Sequence, residues 1–188
     1  DVLKKAYADT KAYRFKSRMD DILIRQKRRR YNELRNEGRK EEATEQAKEL
    51  LAFELQVFVD RAANYPTDLS IKFELGRRQL TAGQIDEAIA SLQQAQRDPK
   101  RRIQALTYLG QAFSRKGWHR EAVETYERAL EHEPGEARAK DLHYYLGLEL
   151  KEMDEIDKAL DHFSEVAQLD YNYRDVRDQI EELRKKQG

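Results

Sequence analysis

Cysteine is absent from this chain, which excludes disulfides and thiolate metal sites. Proline occurs only 3 times and glycine 8 times, so there is little from which to build long irregular loops. No window of ~18 consecutive apolar residues is present, so nothing reads as a membrane span. No secretory signal peptide is visible either. The chain also lacks a nucleophile motif, a phosphate-cradling loop and a paired acid in an apolar setting. An enzyme is therefore not expected, and no cofactor is implied.

What is present is charge, at 38 % of residues, balanced by 39 % apolar residues. Such a balance suits a water-exposed helical array of 188 residues better than a thick globule. Net charge is zero but uneven. Residues 1–40 hold 14 Lys/Arg against 6 Asp/Glu, and the remainder holds 22 against 30. Because the sequence begins at Asp1 rather than Met, it reads as a piece of a longer protein. A cytoplasmic setting, or the soluble part of a larger protein, is the expectation.

Gly76, Gly110 and Gly147 each follow a leucine and each precede an alanine (Ala88, Ala122, Ala159) by 12 residues. The first two glycines are 34 residues apart, and the third follows after 37 more. A unit of that size, made of two short helices, cannot bury its own apolar face and must stack on copies of itself. Stacking leaves an extended concave surface, which argues for binding.

Helical periodicity divides the chain further. Residues 1–36 read as one long helix, stopped at Asn36-Glu37-Gly38. A second long helix, 40–64, ends before Pro66. Its stretch 50–59 is apolar except at Glu54 and Gln56, so cover on two sides is expected. Helix pairs are predicted at 69–81 and 85–97, 103–115 and 119–131, and 138–152 and 156–168. Gly83, Gly117 and Asp154 take the turns inside the pairs, where positive φ is wanted. Residues 172–187 form a closing helix with a Val176, Ile180, Leu183 stripe.

These residues resemble the tetratricopeptide repeat family. Leu109, Gly110, Gly117, Ala122, Tyr126, Ala129 and Pro134 fill its pattern most fully. Leu75, Gly76, Gly83, Ala88 and Ala95 make a second copy, with Leu92 in the aromatic slot and Pro99 one residue early. Leu146, Gly147, Ala159 and Phe163 make a third, with Tyr171 in place of the exit proline. The resemblance implies an all-α fold: a right-handed superhelix of helical hairpins. Residues 1–66 would be a long N-terminal hairpin, a degenerate repeat. Repeats at 69–102, 103–136 and 138–171 follow, and 172–188 is a capping helix.

The resemblance also implies a non-catalytic scaffold that holds a peptide or protein segment in its groove. On this register the exposed groove positions are Phe73, Arg77, Tyr108, Gln111, Arg115, Tyr144, Tyr145 and Leu148. Aromatics with Arg suit an interface; the competing reading is that some of them pack between helices. A family subgroup grips C-terminal carboxylates. Arg28 and Asn32 would serve that role here, but Glu74 would repel the ligand.

Two other features stand apart. Arg25, Lys27, Arg28, Arg29 and Arg30 form a basic segment. It reads either as a contact for nucleic acid, an anionic membrane or an acidic partner, or as a solvated face whose stems cover apolar surface and meet the protein's own acidic repeats. The latter is preferred, and neither nucleic acid nor membrane is an expected partner. The N-terminal helix would span ~54 Å against ~37 Å for its neighbour. Its start would overhang with Leu3, Tyr7, Tyr13 and Phe15, suggesting that it packs on a second copy, as a homo-oligomer through this hairpin, or on the rest of a longer parent protein. His119, His132, His143 and His162 show no metal-ligand spacing, and no metal is expected.

Overall fold

A computed structural model describes residues 2–132 and 135–187. All regular structure among them is helical. The exit proline, Pro134, lies outside the described residues. The chain divides into two compact units, 1–84 and 85–188.

The first unit contains α1 (Val2–Thr10), α2 (Tyr13–Asn36), α3 (Lys40–Asn64) and α4 (Leu69–Thr81). The single long N-terminal helix expected over 1–36 is in fact two. Lys11 adopts φ 54°, and the Thr10 hydroxyl both donates to Ala6 O and accepts from Ala12 N–H, closing the turn locally. Helix α1 folds back, so that Val2, Leu3 and Lys4 share a cleft with Met19, Ile22 and Leu23 of α2. The expected overhang does not exist. Gly38, at φ 74°, turns α2 into α3. α3 packs against both α2 and α4, the two-sided cover its apolar run calls for. Ile24, Val57, Phe58, Ala62 and Leu75 form the core there.

Glu54 interrupts that apolar run for a reason. The residue is 7 % exposed. It accepts from Arg28 Nη2 at 2.7 Å and from Arg78 Nε at 2.8 Å. Arg78 in turn donates to Glu74 Oε2 at 2.7 Å and lies 4.0 Å from the Phe58 ring centroid. A buried charge is tolerable only when paired in this way.

The second unit runs α5 (Ile85–Ala95), α6 (Arg102–Arg115), α7 (His119–Leu130), α8 (Glu136–Glu152), α9 (Ile156–Leu169) and α10 (Val176–Gln187). Each helix packs on the next in sequence. Gly110 is where the Tyr126 ring lies against α6: an added Cβ would be 2.7 Å from Tyr126 Cδ1. The Leu-Gly pattern thus marks the seat of an aromatic ring. Ala122 and Ala159 are fully buried. Gly117 (φ 75°) and Asp154 (φ 60°) make the turns inside the two hairpins, as expected. The three residues by which the second glycine interval exceeds the first lengthen a helix: α8 starts at Glu136 and is 17 residues long against 14 for α6. Val176 and Leu183 bury one face of α10.

Candidate peptide-binding surface

The expected groove residues fall in both units. In the first, Phe73 is only 2 % exposed, so it is a core residue and not an open groove position. Its side chain was placed on the right helix but points into the packing. Arg77 is half-buried, 5.7 Å over the Phe73 ring and 3.7 Å from Glu74 Oε2.

In the second unit, Tyr108, Gln111 and Arg115 sit at i, i+3 and i+7 on α6, one face of a helix. Arg115 is exposed, and the other two are partly so. On α8, Tyr145 and Leu148 are partly exposed. Tyr144 is 6 % exposed, a second correction to the expected open strip.

Tyr144 is covered from the α9–α10 connection. Its ring meets Phe163 at 5.9 Å and Tyr173 at 5.6 Å, both edge-on. Its hydroxyl donates to Asp175 Oδ1 at 2.6 Å. Burial, and then this bond to a carboxylate, push the phenol up to about 12. Tyr145 lies flat on Tyr126, with centroids 5.5 Å apart and planes 17° apart. Arg174, in the left-handed region at φ 47°, completes the cluster. Its guanidinium carbon is 4.7, 5.1 and 5.0 Å from the Tyr144, Tyr145 and Tyr173 rings. Arg174 Nη2 donates to Tyr145 Oη at 3.2 Å, and Tyr173 donates its hydroxyl to Asp141. A guanidinium over aromatic faces is stabilising, and more so when partly desolvated. Sequence reading missed this clasp, because no spacing ties Arg174 to rings 29 and 30 positions earlier.

The basic segment is largely occupied inside the first unit. Besides Arg28 with Glu54, Lys27 Nζ lies 3.4 Å from Glu49, Arg29 Nε 2.9 Å from Glu33 and Arg30 3.8 Å from Glu33. Arg25 Nε donates to Asp21 O at 3.3 Å. The segment meets carboxylates of α2 and α3 within this unit.

Two histidines come together unexpectedly. His143 Nδ1 and His162 Nδ1 are 2.9 Å apart. One must donate and the other accept, so the pair requires at least one neutral ring. Burial lowers both; for His162 the neighbouring His143 lowers it further, while Asp161 and Glu165 oppose. His119 Nδ1 lies 2.7 Å from the buried Glu149. No group of three or more His, Asp or Glu side chains among the described residues is arranged to hold a metal ion. Among those residues no helix is long and apolar enough to cross a membrane.

The fold has parallels among solved structures. A structure of MamA superposes with a TM-score of 0.68 at 20 % identity, over 78 % of this chain and 84 % of that one. The first TPR of Spaghetti (RPAP3), bound to the HSP90 peptide SRMEEVD, gives 0.57 at 15 % identity, over 63 % and 91 %. The APC/C hetero-tetramer Cut9-Hcn1 gives 0.64 at 16 % identity, over 73 % and 28 %. At these identities the likeness is one of fold. No curated protein sequence matches the chain. The tetratricopeptide repeat profile, however, matches residues 43–176, from α3 to the first residue of α10. Seven-tenths of the sequence lies inside that match, and the chain belongs to the tetratricopeptide repeat family.

Proposed function

We propose that this protein is a non-catalytic scaffold that holds an extended segment of a protein partner against α6 and α8. The observation that carries the reading is Tyr145. It is partly open to solvent, yet fixed flat by Tyr126 beneath it and by Arg174 beside it. An aromatic already held in one orientation loses little entropy when a ligand covers it. Tyr108, Gln111, Arg115 and Leu148 extend the strip with apolar and hydrogen-bonding groups suited to a peptide. Membership of a repeat family with a peptide-bound structural neighbour supports the same reading. Phe73 and Tyr144 take no direct part, being buried.

Peptides selected from a random display library against the whole chain provide the test. Replacing Tyr108 and Tyr145 together by Ala should weaken the best binder at least tenfold, as loss of central aromatic anchors does. Equal binding by the double variant would remove the strip from consideration.

A second reading, self-association through the N-terminal hairpin, is supported by one feature. Val2, Ile22 and Leu23 are exposed and line an apolar cleft of about 490 Å³. Ile22→Glu with Leu23→Glu should then lower a concentration-dependent mass in sedimentation. A mass that is concentration-independent in the unaltered chain would end this reading.

A further inference from the structure

The second unit carries a cationic cleft on residues the peptide-binding strip does not use. It occupies about 540 Å³ and is lined by Gln93, Gln96, Arg97, Arg102, Arg128 and His132. No carboxylate lines it among the described residues. Acids are not scarce in this part of the chain: residues 85–188 contain 22 Asp/Glu against 17 Lys/Arg. Other cations of the unit find them, as Lys140 does with Asp170 at 2.9 Å and Lys151 with Glu182 at 2.6 Å. Asp98, which follows Arg97, is turned to its own loop, where Oδ1 accepts from Lys100 N–H at 3.0 Å; Glu127 and Glu131, next to Arg128 and His132 in sequence, do not line the cleft.

Two of the arginines are instead held by one neutral residue, Gln96. Gln96 Oε1 accepts from Arg128 Nη2 at 2.6 Å. Gln96 main-chain O accepts from Arg102 Nε at 3.3 Å, and Gln96 Nε2 donates to Gln93 O at 3.0 Å. Arg102 and Arg128 each spend one N–H on this post and keep four. Neutral acceptors fix the position of the groups without cancelling their charge. Arg102 is also the first residue of α6, whose N-cap, Arg101, makes no side-chain cap and whose first turn has no acid. The positive end of that helix adds to the field at the cleft.

Three guanidiniums lining one cleft, with no carboxylate among its described lining, give it a positive potential that attracts an anion. The fork of each guanidinium matches a pair of oxygens on phosphate. A carboxylate can satisfy one fork only, whereas a phosphate monoester presents three oxygens and about two charges. We propose that this cleft binds a phosphate monoester, with Arg97, Arg102 and Arg128 as its ligands and Gln96 as the residue that positions two of them. The inference stands independently of the peptide-binding strip.

The test is heteronuclear NMR of the whole chain in about 0.15 M sodium chloride, which screens diffuse attraction. Inorganic phosphate should shift the amide signals of Gln96, Arg102 and Arg128 saturably. Arg97→Gln, at an exposed position outside the Gln96 bonds, and Arg128→Gln should each weaken binding at least fivefold. A far-ultraviolet circular dichroism spectrum equal to the parent's shows that the fold is retained. Arms with a phosphoserine pentapeptide and with glycerol phosphate separate the sources. Tenfold tighter binding of the phosphopeptide than of glycerol phosphate assigns the monoester to a modified protein; the reverse order assigns it to a free metabolite. Absence of saturable shifts, or equal phosphate binding by Arg97→Gln, overturns the proposal.

Discussion

A methyl group on Gly147 would stand 2.7 Å from Cε1 of Phe163, inside any permissible contact. Phe163 is fully buried, so the ring has nowhere to retreat. Gly147→Ala should therefore destabilise the second unit by ~3 kcal/mol through overpacking. For a chain of this size that corresponds to a fall of roughly 6–12 °C in thermal midpoint. Gly135→Ala, where an added methyl meets nothing within 4 Å, is the matched control and should change the midpoint little.

Glu54→Ala leaves the buried Arg78 with Glu74 but without its buried carboxylate partner, and removes the partner of Arg28. Breaking one side of a buried pair costs about 3–5 kcal/mol. Urea unfolding followed by circular dichroism should show an early transition for the first unit. A double change, Glu54→Leu with Arg78→Leu, should recover much of the loss, since it leaves no stranded charge.

The His143–His162 pair makes stability depend on pH. Both rings titrate below the ordinary histidine value in the folded state, so the unfolded chain binds protons first as pH falls. The stabilisation is complete above the ordinary value of about 6.5 and is lost as pH drops through the lowered folded values. The thermal midpoint should fall between pH 7 and pH 5, before carboxylates titrate. His162→Gln should flatten that fall, and an unchanged slope would show that the pair does not govern it.

Tyr144 gives the opposite sign. Its phenol is raised to about 12, so its contribution is intact below the ordinary value near 10 and fades as pH climbs toward the folded value. Ultraviolet titration should show a late phenolate step that Tyr144→Phe diminishes by one tyrosine, while the further-raised Tyr13, Tyr126 and Tyr173 still titrate later. The same change removes the bond to Asp175 and should cost about 1 kcal/mol at neutral pH.

The repeat architecture was legible because its signals are local and recur: a glycine under a ring, an alanine at a crossing, a turn residue with positive φ. Helix α4 falls on its expected bounds, 69–81, and α6, α7 and α9 differ from theirs by one residue at an end. The break after α1 was not legible. It uses neither glycine nor proline, and rests on a threonine hydroxyl and a lysine at φ 54°. Glu54 stood out in its apolar run, but its partner lies 24 residues away, beyond any local pattern. At the candidate site, Tyr145 and Arg115 could be placed on a helix face by periodicity. The burial of Tyr144 could not, because the atoms covering it come from the 170–175 connection.

The clasp around Arg174 also fixes where this array can be lengthened. Residues 170–183 are tailored to what precedes them: Lys140 holds Asp170, Tyr144 holds Asp175, and Lys151 reaches Gln179 and Glu182. A hairpin grafted after Leu169 would evict that whole tail and bare the rings it shelters. Duplicating a hairpin upstream of Glu136 would keep tail and terminal hairpin together as one transferable stopper, fit to end arrays of other lengths.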